Sequence, residues 1–260
     1  MEFALKDFSM EFFSLKGKVA VVTGGNTGLG LGYAVAFAKA GADLFIITYN
    51  DDWDETRQLV TAEGRNVVFF KADITDKLQM KNAVSECIKA YGRIDILVNN
   101  AGTIRRAPLL VYKDEDWDAV MEINLNAVYR LSREVAVIMV KQRSGKIINI
   151  ASMLSFQGGK FVPPYTASKH GVVGLTRSFA SELAEYNIQV NAIAPGYIET
   201  ANTAPIRADE NRNREITSRI PAGRWGHPSD LMGTAIFLAS RASDYVNGHV
   251  LAVDGGWLVR

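Results

Sequence analysis

The chain has one cysteine in 260 residues, Cys87, so it can form no disulfide within itself. That usage suits a reducing compartment, and a cytoplasmic location is expected. The cysteine sits in AVSECIKA, which reads as an apolar helix position and not as a nucleophile. Histidine is scarce too: His170, His227 and His249 are scattered without metal-site spacing, and no metal is assigned. Charge of one sign is also missing. With 29 Lys plus Arg against 28 Asp plus Glu, no field recruits nucleic acid or an anionic membrane. No stretch approaches the roughly 20 apolar residues that a membrane helix needs. Glu2, Lys6, Asp7 and Glu11 interrupt the N-terminus before it could act as a signal sequence, so residues 1–16 are expected to be a surface extension. Repeats, low-complexity tracts and linkers are absent, which leaves one domain over 1–260 as the expectation.

What is present is an alternation of two patterns. Short runs rich in Val, Ile and Phe predict strands at Lys18–Thr23, Asp43–Thr48, Asn66–Lys71, Ile94–Asn99, Lys146–Ala151, Gln189–Ile193 and His249–Val253. Between them, helices are predicted at Leu29–Ala40, Trp53–Glu63, Lys77–Tyr91, Glu115–Gln142, Pro164–Tyr186 and Pro228–Ala239, with an irregular segment from about Pro195 to Gly226. Such alternation implies an α/β fold: a doubly wound, Rossmann-type parallel sheet with helices on both faces. Ligands bind such sheets beyond the carboxyl ends of the strands. There the chain places GGNTGLG after the first strand, NNAG after the fourth, Ser152 after the fifth and APG after the sixth.

Gly24, Gly28 and Gly30 form G-x-x-x-G-x-G between a strand and a helix, the setting in which backbone approaches a pyrophosphate and a helix N-terminus faces it. No Gly-Lys-Ser/Thr follows, so this is not a nucleoside-triphosphate loop. The end of the second strand reads ITYNDDWDET. Thr48 stands where an acidic residue would bond ribose hydroxyls, and no basic residue lies between Leu44 and Thr56 to meet a 2′-phosphate. Asp51 and Asp52 would repel one. NAD(H) is therefore favoured, with NADP(H) the alternative.

In PPYTASKHG, Tyr165 and Lys169 are four residues apart on one helix face. A free phenol titrates near 10, too high for a base at neutral pH, and a neighbouring ammonium would lower it. Such a phenol can exchange a proton with a carbonyl oxygen that Ser152 holds, and Asn124 in EINLNAVY can relay protons to Lys169 through backbone and water.

From VAVVTGGNTGLG to AVDGGW the chain resembles the short-chain dehydrogenase/reductases. The resemblance implies a seven-stranded Rossmann sheet, a homotetramer, and Asn124, Ser152, Tyr165 and Lys169 as a catalytic tetrad. It also implies cofactor contacts from Gly24, Asn26, Gly28, Leu29, Asp73, Asn100, Ala101, Gly102, Tyr165, Lys169, Pro195, Gly196, Ile198 and Thr200. Thr48, in place of an acidic residue, departs from the pattern. Within the family, NNAGTIRR, NIASMLSFQGG, NAIAPGYIETANT, IRADENR and RIPAGRWGHPSDLMG are similar to the bacterial 2-dehydro-3-deoxy-D-gluconate 5-dehydrogenases, and less so to the gluconate 5-dehydrogenases. The substrate so implied is a small sugar acid, 2-keto-3-deoxygluconate or its 2,5-diketo form.

A carboxylate substrate gives the adjacent Arg105 and Arg106 a meaning, because a guanidinium fork grips a carboxylate with paired hydrogen bonds. Neighbouring loop residues point apart, so one of the two should face the pocket, and Arg106 is preferred. Gln157 and Asn202 are further candidates for substrate hydroxyls. The rival readings are a reductase of carrier-bound ketones and a dinucleotide-sensing regulator without turnover.

Overall fold

The computed structural model describes residues 8–260, so residues 1–7 of the expected N-terminal extension lie outside the described residues. Val19–Thr23 (β1) leads into Gly28–Lys39 (α1), Asp43–Thr48 (β2), Asp54–Ala62 (α2), Val67–Lys71 (β3), Lys77–Tyr91 (α3) and Ile96–Asn99 (β4). The second half runs through Asp114–Met121 (α4), Ala127–Gln142 (α5), Gly145–Ile150 (β5), Pro163–Leu183 (α6) and Ile188–Pro195 (β6). Ala204–Ala208 (α7), Glu210–Arg219 (α8), Pro228–Ala239 (α9) and Val250–Val253 (β7) complete it.

The strands form one seven-stranded sheet of order β3-β2-β1-β4-β5-β6-β7, every pair parallel. The expected Rossmann-type architecture is the one observed. Side chains alternate across a strand, and here they sort into two cores. Ala20, Val22, Leu44, Ile46, Ile96, Val98, Ile148 and Ile150 pack on one face against Tyr33 and Phe37 of α1 and Leu231 and Leu238 of α9. Val19, Val21, Phe45, Ile47, Leu97 and Ile147 pack on the other against Met80 and Cys87 of α3 and Leu131, Val135 and Met139 of α5. Both faces are covered, which is why these strands read as unbroken apolar runs. Strand order reverses between β1 and β4, and this leaves a crevice at their carboxyl ends.

Two elements differ from expectation. The helix predicted over Glu115–Gln142 is divided by a π-turn at Glu122–Asn126, where the N–H of Ala127 donates to the carbonyl of Glu122, five residues back. An inserted residue of this kind does not change the apolar period enough to show in a sequence. The segment Pro195–Gly226, expected to be irregular, contains α7 and α8. Asp209 caps α8 by accepting from the N–H groups of Asn211 and Arg212, an N-cap signal that ENRNREITSR obscures by burying only Ile216.

Candidate active site

The crevice opens as a cleft of about 810 Å³. Its floor is the turn between β1 and α1. Gly24 adopts φ +62°, and a β-carbon on Gly30 would lie 2.0 Å from the Gly24 carbonyl oxygen and 2.6 Å from Asn100 Nδ2. Only glycine fits there, and its lack of a side chain lets the first turn of α1 pack directly on the Gly24 carbonyl. Thr27 caps α1 with extended backbone and no side-chain hydrogen bond, so the first N–H groups of the helix remain available to an anion. Asn100 Nδ2 donates to the carbonyls of Thr23 (2.9 Å) and Gly24 (3.2 Å), while Thr23 Oγ1 accepts from the N–H of Asn100 (3.0 Å) and Ala101 (2.9 Å). These bonds stitch the glycine turn to the loop after β4.

Gly24, Asn26, Gly28, Leu29, Asp73, Asn100, Ala101 and Gly102 line this half of the cleft, and Pro195, Gly196, Ile198 and Thr200 line it from β6. Thr48 does not. It is buried, and its hydroxyl donates to the Asn50 carbonyl at 2.8 Å within the turn. Tyr49, largely exposed, and Asn50 form the wall instead, and Asn26 Nδ2 donates to both Asn50 Oδ1 and the Asp52 carbonyl at 2.8 Å. The Asp51 carboxylate pairs with Lys71 at 2.8 Å. The strand's last residue is where a cofactor contact is expected, but side-chain alternation turns Thr48 inward and gives the wall to the next two.

At the other end of the cleft Ser152, Tyr165 and Lys169 converge, as their spacing implied. Ser152 follows β5 and caps the short turn Met153–Ser155, its Oγ accepting from the N–H of Leu154 at 3.1 Å. Tyr165 and Lys169 stand one turn apart on α6, with Nζ 5.5 Å from the centre of the phenol ring. Lys169 is 5% exposed, and Nζ donates to the Ile150 carbonyl at 2.6 Å. Burial pulls this ammonium from 10.5 down to about 8. Burial also raises the Tyr165 phenol, against which the Ser152 hydroxyl and the Arg106 charge act.

Asn124 lies on the π-turn, buried and behind the cleft wall. Its Oδ1 accepts the Thr103 N–H at 2.8 Å, and its Nδ2 donates to the Thr103 carbonyl at 2.9 Å and to Ser168 Oγ at 3.3 Å. It fixes the loop after β4 against α6. The two arginines of that loop diverge. Arg105 pairs with Asp116 at 2.9 Å on the surface, whereas Arg106 lines the cleft and has no ion-pair partner among the described residues. Asn202 and Thr203 also line it, while Gln157 is partly buried outside it. Thr103 is not singled out by the sequence as a cleft residue, because its place shows only once the loops after β4 and β6 face each other.

Next to Ser152, Met153 joins α7 and α8 in an aromatic cluster in which Trp225, Trp257 and Ile216 are also buried, with Tyr197 and Ile206 against them. The ring centres of Tyr197 and Trp257 are 4.8 Å apart, and the Arg219 guanidinium sits 4.0 Å over Trp257. Among the described residues no group of acidic, histidine and cysteine side chains is placed to hold a metal, and no helix is long and apolar enough to cross a membrane.

A family model described as enoyl-(acyl carrier protein) reductase matches residues 24–258, the span that builds this cleft. The chain belongs to the short-chain dehydrogenase/reductase family. It is thus an oxidoreductase acting on CH–OH groups. It is 57% identical over 248 residues to 2-dehydro-3-deoxy-D-gluconate 5-dehydrogenase of Bacillus subtilis, covering 95% of this chain and 97% of that protein. A structure from Agrobacterium tumefaciens with bound NADP is 50% identical, with a TM-score of 0.90 over 95% of this chain and 99% of that one. Gluconate 5-dehydrogenase of Burkholderia cenocepacia, solved with NADP and tartrate, is 40% identical, with a TM-score of 0.92 over 96% of this chain and 98% of that one.

Proposed function

We propose that this dehydrogenase/reductase interconverts 2-dehydro-3-deoxy-D-gluconate and its 2,5-diketo form, using a nicotinamide dinucleotide. The observation that carries the reading is one cleft holding Ser152, Tyr165 and Lys169 together with Arg106, a proton-exchanging set beside a cation that has no ion-pair partner among the described residues. The sugar-acid relatives support the same substrate class. The glycine cradle and the open N-terminus of α1 suit a pyrophosphate, which Gly28, Leu29 and Asn26 would hold. When bound, the nicotinamide supplies or accepts the hydride.

The chain's own residues do the rest. Tyr165 gives its proton to the substrate's carbonyl oxygen in reduction and takes it back in oxidation. Ser152 donates a hydrogen bond to that oxygen: its Oγ accepts from the N–H of Leu154, and the hydroxyl proton, which otherwise meets the Tyr165 oxygen, turns to the substrate. Lys169, mostly ammonium below its value of about 8, favours the phenolate. Asn124 passes protons onward from Lys169 through the backbone of the π-turn and water. Arg106 grips the carboxylate, and Asn202 meets a hydroxyl.

Between the two cofactors we favour NAD(H). No basic side chain lines the cleft near Tyr49 and Asn50, and Asp51 and Asp52 follow directly. The relatives solved with NADP make NADP(H) the second reading. The same proposal has one domain over 1–260 and a cytoplasmic homotetramer, which the exposed Tyr129 and Val137 on α5 would suit.

A panel of 2-dehydro-3-deoxy-D-gluconate and D-gluconate, each with NAD⁺ and NADP⁺ and read by reduced-nicotinamide absorbance, tests this directly. The highest kcat/KM is expected for the 3-deoxy acid with NAD⁺, and preference for gluconate would replace it with the gluconate 5-dehydrogenase reading. Tyr165→Phe should lower kcat by about 10²–10⁴-fold, the usual worth of a positioned acid–base group, with cofactor binding largely intact. Near-normal turnover in that variant would sink the assignment.

A further inference from the structure

Ser155 lies outside the cleft, yet its buried hydroxyl joins two parts of it. Oγ accepts the backbone N–H of Ser152 at 3.3 Å and donates to the backbone carbonyl of Lys169 at 2.8 Å. Its donor and one acceptor site are thus both used. Ser152 and Lys169 stand on separate elements, the end of β5 and the middle of α6. The chain between them passes through an exposed loop that includes Gly158 and Phe161, the latter at φ +68°. That loop has no periodic structure to set the register of one element against the other. The side chain of Ser155 spans the gap in two bonds.

The bond to Ser152 is half of a reciprocal capping box on the turn Met153–Ser155, with the Ser152 hydroxyl as cap and Ser155 as its third residue. Glu or Gln is the usual reciprocal partner in such a box and reaches only its own turn. Serine here is short enough to lie against α6, and it spends its one proton on the helix that carries Tyr165. A second strap, from Lys169 Nζ to the Ile150 carbonyl at 2.6 Å, ties α6 to the end of β5 through the side chain of the same lysine.

We propose that Ser155 is a positioning residue that holds the Ser152 hydroxyl in register with Tyr165, so that both reach one substrate oxygen. The proposal rests on the roles given above to Ser152 and Tyr165. Two groups can bond one oxygen only if each stands about 2.6–3.2 Å from it, and a displacement near 1 Å costs on the order of a hundredfold in rate. Ser155→Ala adds no bulk and removes only the two bonds, so a smaller displacement and a loss in kcat of about tenfold follow.

The test compares wild type, Ser155→Ala, Ser152→Ala and the double variant for kcat on 2-dehydro-3-deoxy-D-gluconate, with cofactor Kd by fluorescence titration. Ser155→Ala should lower kcat about tenfold and leave the cofactor Kd within about twofold. In the Ser152→Ala background the same change should lower kcat by less than about twofold, because no hydroxyl remains to be positioned. Equal losses in both backgrounds, a loss confined to cofactor Kd, or an unchanged kcat in Ser155→Ala would each overturn the proposal. Fully active Ser152→Ala would overturn the role of that serine and the proposal with it. Impaired Ser152→Ala beside fully active Ser155→Ala would overturn the proposal alone.

Discussion

Replacing Lys169 by methionine should abolish turnover without destabilising the fold, because the native protein keeps this charge against the grain of its surroundings. The side chain is 5% exposed, and burial takes its titration from 10.5 down to about 8. That gap amounts to about 3 kcal/mol of native-state cost at pH 7. Methionine has a similar length and no charge. It does leave the Ile150 carbonyl, which accepts from Nζ at 2.6 Å, without that donor, and an unpaired buried acceptor costs about 1–3 kcal/mol. At pH 7 the variant should therefore lie between equal stability and about 2 kcal/mol of extra stability. The pH dependence is sharper still. Between 8 and 10.5 the unfolded state binds the proton that the native lysine has released, so stability of the wild type rises with pH across that window. From pH 7 to 9.5 the rise is about 2 kcal/mol, and the methionine variant lacks it. Urea denaturation of both proteins at the two pH values measures the difference. A variant more than about 1 kcal/mol less stable at pH 7, or two curves that run parallel with pH, would refute the burial argument.

Arg106→Ala should lower kcat/KM for the sugar acid by about 10–100-fold, the worth of a lost charge-assisted hydrogen-bond pair, as steady-state kinetics would show. Arg105→Ala should stay near wild type, since its guanidinium is already paired with Asp116 at the surface. Gly30→Ala forces a β-carbon to 2.0 Å from the Gly24 carbonyl; about 1–3 kcal/mol of stability should be lost, together with cofactor affinity, by thermal melting and calorimetric titration.

The sheet was legible because parallel strands are buried on both faces, and runs such as VAVVT and DLFIIT announce that burial residue by residue. Tyr165 and Lys169 were legible because helical spacing is a local property. Asn124 was legible as a candidate but not in its setting, since one extra residue in the π-turn is invisible to a period count. Thr48 shows the limit of reading a position without its pleat: it stands at the strand end where a ribose contact is expected, and its side chain is buried in the turn. Helices α7 and α8 were hidden because they bury few apolar residues and so carry little amphipathic signal.

By itself, the sequence determined the fold class, the order of the seven strands with the helices between them up to β6, and most of the residues gathered at the carboxyl edge of the sheet. These follow from periodicity and chain order, which are properties of neighbours along the chain. Tertiary structure alone decided which of two adjacent arginines faces the cleft, which residues wall it after β2, and how Ser155 joins β5 to α6. Those depend on side-chain direction and on distances between segments far apart in sequence, and the arginines illustrate the reason. Identical in chemistry and one residue apart, they diverge with the path of the loop: one guanidinium meets Asp116, eleven residues from Arg105, at the surface, and the other lines the cleft.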